Sequence, residues 1–404
     1  MLTKNEKTFK WMNWALIFLA LGFLASPTIV SLFHILFAVP AILLIKREGF
    51  PKLPKSSIAL LALVVWGAIA TTYNFDTLVK PVKAYQELKF YLIGVLFIPG
   101  MIYYFKNASD HQLKRLTSIV SVVIIIAFFV GISKAWFSFD PVKMRFGDFH
   151  ERSGGFTNYM RYGYASSFLA LFGLNIFINR RGPFFKRYFN AKLFYIATVF
   201  CFLAIATSQT RGALLSLIVG FPFTIFFYRR KLALALFGVG GLFAAVVIYC
   251  SFINPGVTTS RFLNINQGSN SVRMSQFLTA TKVIKEKPIF GLGGNQFSYN
   301  VKAYKEKYDI WAKKYEGHTH NIFLEHATSF GVLGAVLLAL FFIFWGKEML
   351  TLNGGVGIAV FSYIVAYVVA GQVENLFDNT NSHLLFFLYT FSQAWKFLDK
   401  SKTA

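Results

Sequence analysis

"WMNWALIFLALGFLASPTIV", residues 11–30, decides how the rest of the chain is read. It follows Lys4, Lys7 and Lys10, so it has the basic flank and apolar core of a secretory signal, with "FLAS" as a weak cleavage region. More apolar segments follow at once. The stretch therefore reads as an uncleaved first membrane helix.

The composition agrees. The 404 residues are 55% hydrophobic, 18% aromatic and only 14% charged. Mean hydropathy is +0.52. A soluble domain carries about 25% charged residues. Apolar runs of about 17–25 residues, parted by Lys/Arg-rich breaks, mark an all-α polytopic membrane protein. The ten-residue alternation of a membrane β-barrel is missing. Twelve transmembrane helices are expected, with cores near 11–27, 28–45, 57–74, 89–105, 116–137, 161–179, 193–209, 212–228, 232–252, 322–346, 354–371 and 382–396.

Charge orients them. With both termini inside, the cytoplasmic breaks hold 22 Lys and Arg and the short outer breaks nine. Long loops do not count in this rule. The expected topology is N-in/C-in, with the long loop 253–321 outside. Residues 1–404 form a single membrane domain without a second soluble domain, an internal repeat or a low-complexity tract. The net charge of +24 would suggest nucleic acid in a soluble protein. Here much of it faces anionic lipid, and no nucleic-acid partner is expected. Cys201 and Cys250 lie in apolar runs and read as small core residues.

A 69-residue loop is too long for a plain connector. "SVRMSQFLTATKVIKEKP" (271–288) carries a partial apolar stripe of Val272, Met274, Phe277, Leu278, Val283 and Ile284. Asn270 or Ser271 would cap this helix, and Pro288 would stop it. "IFGLGGNQF" (289–297) reads as a turn, because a nucleotide-binding loop needs a preceding strand and fuller spacing. "NQFSYNVKAYKEKYDIWAKKY" (295–315) reads as a second helix, basic and aromatic, of the kind that lies on headgroups.

Four outer residues carry chemistry. Arg211 stands in a tight Ser-Gln-Thr-Arg-Gly turn between two spans. An arginine there either snorkels to headgroups or serves a ligand. Arg273, near the start of the first loop helix, is a solvated charge or part of an anion site. His318 and His320 cannot share a helical face, but both could point one way from an extended segment. Three readings stay open for them: a cap or packing role, a metal site lacking donors of established spacing, or a general base. Imidazole suits the last, with an unperturbed pKa near 6.5. His320 abuts Asn321 and the apolar run, so it is the better placed.

Taken in order, "ERSGGFTNYMRYGYASSFLALF" (151–172), "SQTRGALLSL" (208–217), "SVRMSQFLTATKVIKEKPIFGLGGNQF" (271–297) and "HTHNIFLEHATSFGVLGAV" (318–336) resemble the O-antigen ligase and polymerase superfamily, over roughly residues 140–345. Within it the chain looks most like an O-antigen ligase. The resemblance implies the large membrane-embedded glycosyltransferase (GT-C) class and a multi-pass protein of the bacterial inner membrane with its active site facing the periplasm. It implies inverting transfer of a glycan from undecaprenyl diphosphate to a sugar hydroxyl of lipid A–core, without metal or other cofactor. The family's essential arginines match Arg211 and Arg273, and its essential histidine matches His320, with His318 in the same motif. Arg152 and Arg161 are candidates for secondary contacts with substrate. The rivals are an O-antigen or exopolysaccharide polymerase, which has a different acceptor, and a transporter of lipid-linked sugars. The transporter is disfavoured because the spans look nearly free of charge.

Overall fold

Long apolar runs with good caps become long helices here, and the breaks between them decide the architecture. The computed structural model describes residues 4–22, 27–147, 154–179, 183–236, 238, 268–311, 317–352, 355–377 and 379–403. In chain order the helices are α1 (Lys4–Gly22), α2 (Pro27–Glu48), α3 (Lys55–Tyr73), α4 (Pro81–Gln86), α5 (Leu88–Leu96), α6 (Ile98–Asn107), α7 (Asp110–Phe137), α8 (Tyr159–Ile178), α9 (Pro183–Tyr188), α10 (Ala191–Ser208), α11 (Arg211–Phe226), α12 (Gly268–Glu286), α13 (Phe297–Lys307), α14 (Ile322–Leu350), α15 (Gly355–Ala370) and α16 (Asn379–Thr403).

Among the described residues, five helical stretches are long and apolar enough to cross a membrane: Lys55–Tyr73, Pro81–Asn107, Asp110–Phe137, Ala191–Ser208 and Ile322–Leu350. Arg211–Phe226 and Gly355–Ala370 are shorter apolar helices. The protein is thus an all-α, multi-pass membrane protein. The expected core 232–252 lies largely outside the described residues, as do Cys250 and the first part of the long loop. Cys201 is buried, as its apolar setting implied.

Capping explains several starts. Ser109 and Gln112 form a capping box at α7. Asn158 accepts from Met160 N at 2.7 Å and so begins α8. Breaks have local causes too. The expected core 89–105 is not one rod: α5 gives way to α6 at Phe97, and Pro99 sits in the first turn of α6, where its missing N–H costs nothing. The segment after α7 carries a two-residue antiparallel ladder, Phe139 opposite Phe146 and Asp140 opposite Arg145. Hydropathy gave no sign of it.

Within the bundle, α14 packs along α3, α10 on α8, and α15 on both α8 and α11. Small hydroxyls stitch these contacts. Ser167 meets Ser216 at 2.9 Å, Asn175 reaches Thr224 at 3.1 Å, and Thr224 reaches Ser362 at 3.1 Å. Such bonds let helices approach closely where the hydrophobic effect cannot hold them together.

The long loop departs most from expectation. α12 begins at Gly268, earlier than the Asn270 or Ser271 cap. Its buried residues are Ser275, Gln276, Thr279, Ala280 and Val283, while Met274 and Leu278 are 60% and 50% exposed. The protein takes mainly the small and polar side of this helix, and of the apolar stripe only Val283 is fully buried. α13 ends at Lys307, and Asp309 turns to a left-handed φ of 48°. The second loop helix is therefore shorter than its sequence pattern.

The Gly-rich turn does more than redirect the chain. α14 is interrupted at Gly331, whose φ of 72° and ψ of 178° no helix contains. The interruption strips carbonyls of their helical partners. Leu292 N donates to Thr328 O (2.8 Å), Gly293 N to Ser329 O (2.9 Å) and Trp66 Nε1 to Phe330 O (2.7 Å). In return Val332 N donates to Pro288 O at 2.8 Å. Loop and helix share one hydrogen-bond ladder, which is how irregular backbone survives at membrane depth.

Candidate active site

The site begins with the way "HTHN" meets α14. Asn321 accepts from Phe323 N (2.9 Å) and Leu324 N (3.0 Å), capping the helix. Thr319 is buried, and its N–H donates to the Glu325 carboxylate at 2.8 Å. Since Thr319 points inward, its two neighbours turn the other way. The rings of His318 and His320 lie 4.3 Å apart between centroids. The lead-in is not helical, so the two side chains escape the helical spacing that would part them. His320 itself has a left-handed φ of 56°, a strained conformation for a residue with a Cβ.

The turn from α15 to α16 clamps this segment. Ile322 N donates to Gly371 O at 2.8 Å, and Asn321 Nδ2 to Gln372 Oε1 at 3.1 Å. Glu374 on that turn is buried. Its Oε1 takes both imidazoles: His318 through Nε2, and His320 through Nδ1 at 3.1 Å. Its Oε2 faces Arg273 Nη2 at 3.8 Å. Burial alone would raise the Glu374 pKa, but the hydrogen bonds and charges of His318 and His320 outweigh it and hold the carboxyl at about 2. Three of the expected residues, His318, His320 and Arg273, thus converge on an acid that sequence reasoning missed. One signal was present. In a chain with few acids, a Glu immediately after an apolar run, at the same end of the expected spans as the histidines, is a natural partner for surplus cations.

Arg211 begins α11, as its tight turn suggested. Thr210 before it bonds Tyr159 O at 3.2 Å, which fixes the junction against the start of α8. The Tyr164 hydroxyl packs so closely on Gly212 that a Cβ there would lie 1.9 Å from it. Tyr164 also feels the charges of Glu374 and Arg273. Arg161 is exposed in the first turn of α8. Arg152 lies outside the described residues.

A second polar group lies beneath. His326 Nδ1 bonds Ile322 O at 2.7 Å, so Nδ1 carries the proton. Its Nε2 meets Tyr91 OH at 2.6 Å and Glu87 Oε1 at 3.4 Å, and Tyr91 also bonds Glu87. Glu87, Glu325 and Glu348 are all buried. The spans are therefore less free of charge than their apolar cores suggested: Glu87 and Glu348 sit just beyond the ends of two cores, and Glu325 lies within the first turn of one.

His318, His320 and Glu374 bring ligand atoms within 4.8 Å of one another, a donor set able to hold a metal ion. Arg273 on the same carboxylate places a fixed positive charge against such an ion. The arrangement suits an anion at the arginine side better than a second cation.

Residues 196–339 match the family model described as O-antigen ligase. That stretch takes in Arg211, Arg273, His318, His320, the Gly-rich turn and the break in α14. Glu374 lies beyond it. The match makes this segment of the chain similar to that family. No curated protein matches the chain.

Proposed function

We propose that this chain, through its O-antigen ligase segment, transfers a glycan from undecaprenyl diphosphate to a sugar hydroxyl of lipid A–core, with inversion and without metal, on the periplasmic face of the bacterial inner membrane. The observation that carries the reading is the cluster of His318, His320 and Arg273 on buried Glu374. Glu374 accepts from His320 Nδ1, which leaves Nε2 as the lone-pair nitrogen. His320 Nε2 removes the proton from the acceptor hydroxyl as that oxygen attacks the anomeric carbon. Arg211 and Arg273 bind the diphosphate and stabilise it as it leaves. His318, on the same carboxylate oxygen, keeps Glu374 ionised and steers the sugar. Arg161 and Arg152 hold outer parts of the donor.

The topology that suits this chemistry is twelve spans, N-in and C-in, with 253–321 in the periplasm. The acceptor class is what separates ligase from polymerase. Purified protein in nanodiscs is given undecaprenyl-diphosphate glycan and lipid A–core, with EDTA present. A glycan-bearing lipid A–core product is expected. Longer glycans on undecaprenyl diphosphate, with lipid A–core untouched, would make the protein a polymerase. Loss of transfer in EDTA, restored by a divalent ion, would move the histidines to a metal role.

A further inference from the structure

At the other end of the bundle from Glu374, a cavity of about 680 Å³ opens between the start of α3, α6, the end of α14 and α16. Lys347 on its rim lies 25 residues along α14 from Ile322, roughly 35 Å from the site. The rim also carries Lys52 and Lys55, and all three lysines are exposed. None of the three has an acidic partner among the described residues. The acid in the wall is already occupied. Glu348 takes Ser56 N (3.1 Å), Ser56 Oγ (2.6 Å) and Gln393 Nε2 (2.8 Å), with Lys396 Nζ at 3.8 Å. Beneath the lysines the lining is apolar and includes Ile102, Phe344 and Phe397.

We infer that this cavity seats the headgroup of an anionic phospholipid from the leaflet at that end, which is the cytoplasmic one in the orientation given above. Three unpaired cations attract phosphate. The apolar floor takes the first part of an acyl chain, which a free phosphate does not have. Glu348 sets the depth, because its carboxylate at the back of the cavity repels a phosphate that goes past the rim. Basic pockets between helices are suited to such headgroups. The inference does not depend on the reaction at the other end of the molecule.

The test uses the full chain in detergent, stripped of lipid. Phosphatidylglycerol, cardiolipin, phosphatidylethanolamine and inorganic phosphate are each titrated in, with binding read by native mass spectrometry and thermal melting. The two anionic lipids are expected to bind and raise the melting midpoint, while phosphatidylethanolamine and phosphate do not. Each lysine is worth about a fivefold change in affinity at an anionic surface, so K52Q/K55Q/K347Q should bind roughly 100-fold more weakly. The lipid-free melting of that variant should match wild type, since the three side chains are exposed. If the triple variant does not fold, K347Q alone is measured and should bind about fivefold more weakly. Unchanged binding in the variant, or equal retention of phosphatidylethanolamine, would overturn the inference. A phosphate effect as large as the lipid effect would overturn it too, by assigning a soluble anion.

Discussion

Glu374 is buried, yet its two oxygens are shared among two imidazoles and a guanidinium, and that pairing decides how the site responds to acid. Its folded pKa, about 2, lies below the ordinary value of 4.5. The stabilisation it brings is complete above about pH 4.5 and is lost as pH falls toward 2. Between those limits the melting midpoint of wild type should fall more steeply than that of Glu374→Gln, and parallel curves would remove Glu374 from this role. Activity should respond as well. Gln cannot hold the His320 tautomer by charge, so Glu374→Gln is expected to lose about 10²–10⁴-fold in turnover at neutral pH. His320→Ala should abolish transfer yet fold and elute like wild type, because the His320 side chain is partly exposed; its melting midpoint should drop slightly, since Glu374 loses one of its two imidazole partners. Substantial transfer by that variant would leave His318 as the base.

At the scale of the element, α14 matters most. Gly331 has a left-handed φ, and a Cβ there would lie 1.8 Å from Ile289 O. Gly331→Ala must therefore push the Gly-rich turn off the helix and free several buried backbone groups. A loss of at least about 3 kcal/mol is expected, read as a lower melting midpoint and less folded protein in membranes. A melting curve equal to wild type would show that the turn is not held there. The sequence made part of this element legible. The start of the apolar run just after Asn321 could be read from hydropathy, whereas the capping role of Asn321 itself appears only in the structure. The break could not, because "SFGVLGAV" keeps helical hydropathy and a glycine inside a span is ordinary. What betrays Gly331 is its partner turn at 289–293, and pairing across such a separation has no period. Glu374 was hidden in the same way, 54 residues from His320 in a short turn.

For the whole molecule, hydropathy is enough to reveal a helical membrane bundle, because every span must bury its own backbone bonds. It says less about where spans end, which is why Glu87 and Glu348 escaped notice. Orientation rests on the lysine and arginine bias and can be tested directly. With Cys250 replaced by Ser and Cys201 buried, single cysteines are placed at Lys302, on exposed α13, and at Lys347, on the rim of the basic cavity. A membrane-impermeant thiol reagent added to intact spheroplasts should label Lys302→Cys and spare Lys347→Cys. The reverse pattern would invert the topology and take the histidines to the cytoplasm.

The shared ladder at Gly331 also constrains how the protein is made. Trp66 and the turn at Pro288–Gly293 leave the ribosome before α14 does, and all of them supply partners to its broken middle. A carbonyl left bare in hydrocarbon costs several kcal/mol. The nascent α14 therefore cannot settle in the bilayer as a finished rod. Its two halves must wait until the preceding turn has folded back upon them. Folding of the loop and insertion of the helix become a single step in biogenesis, and a translocon that released α14 early would release it misassembled.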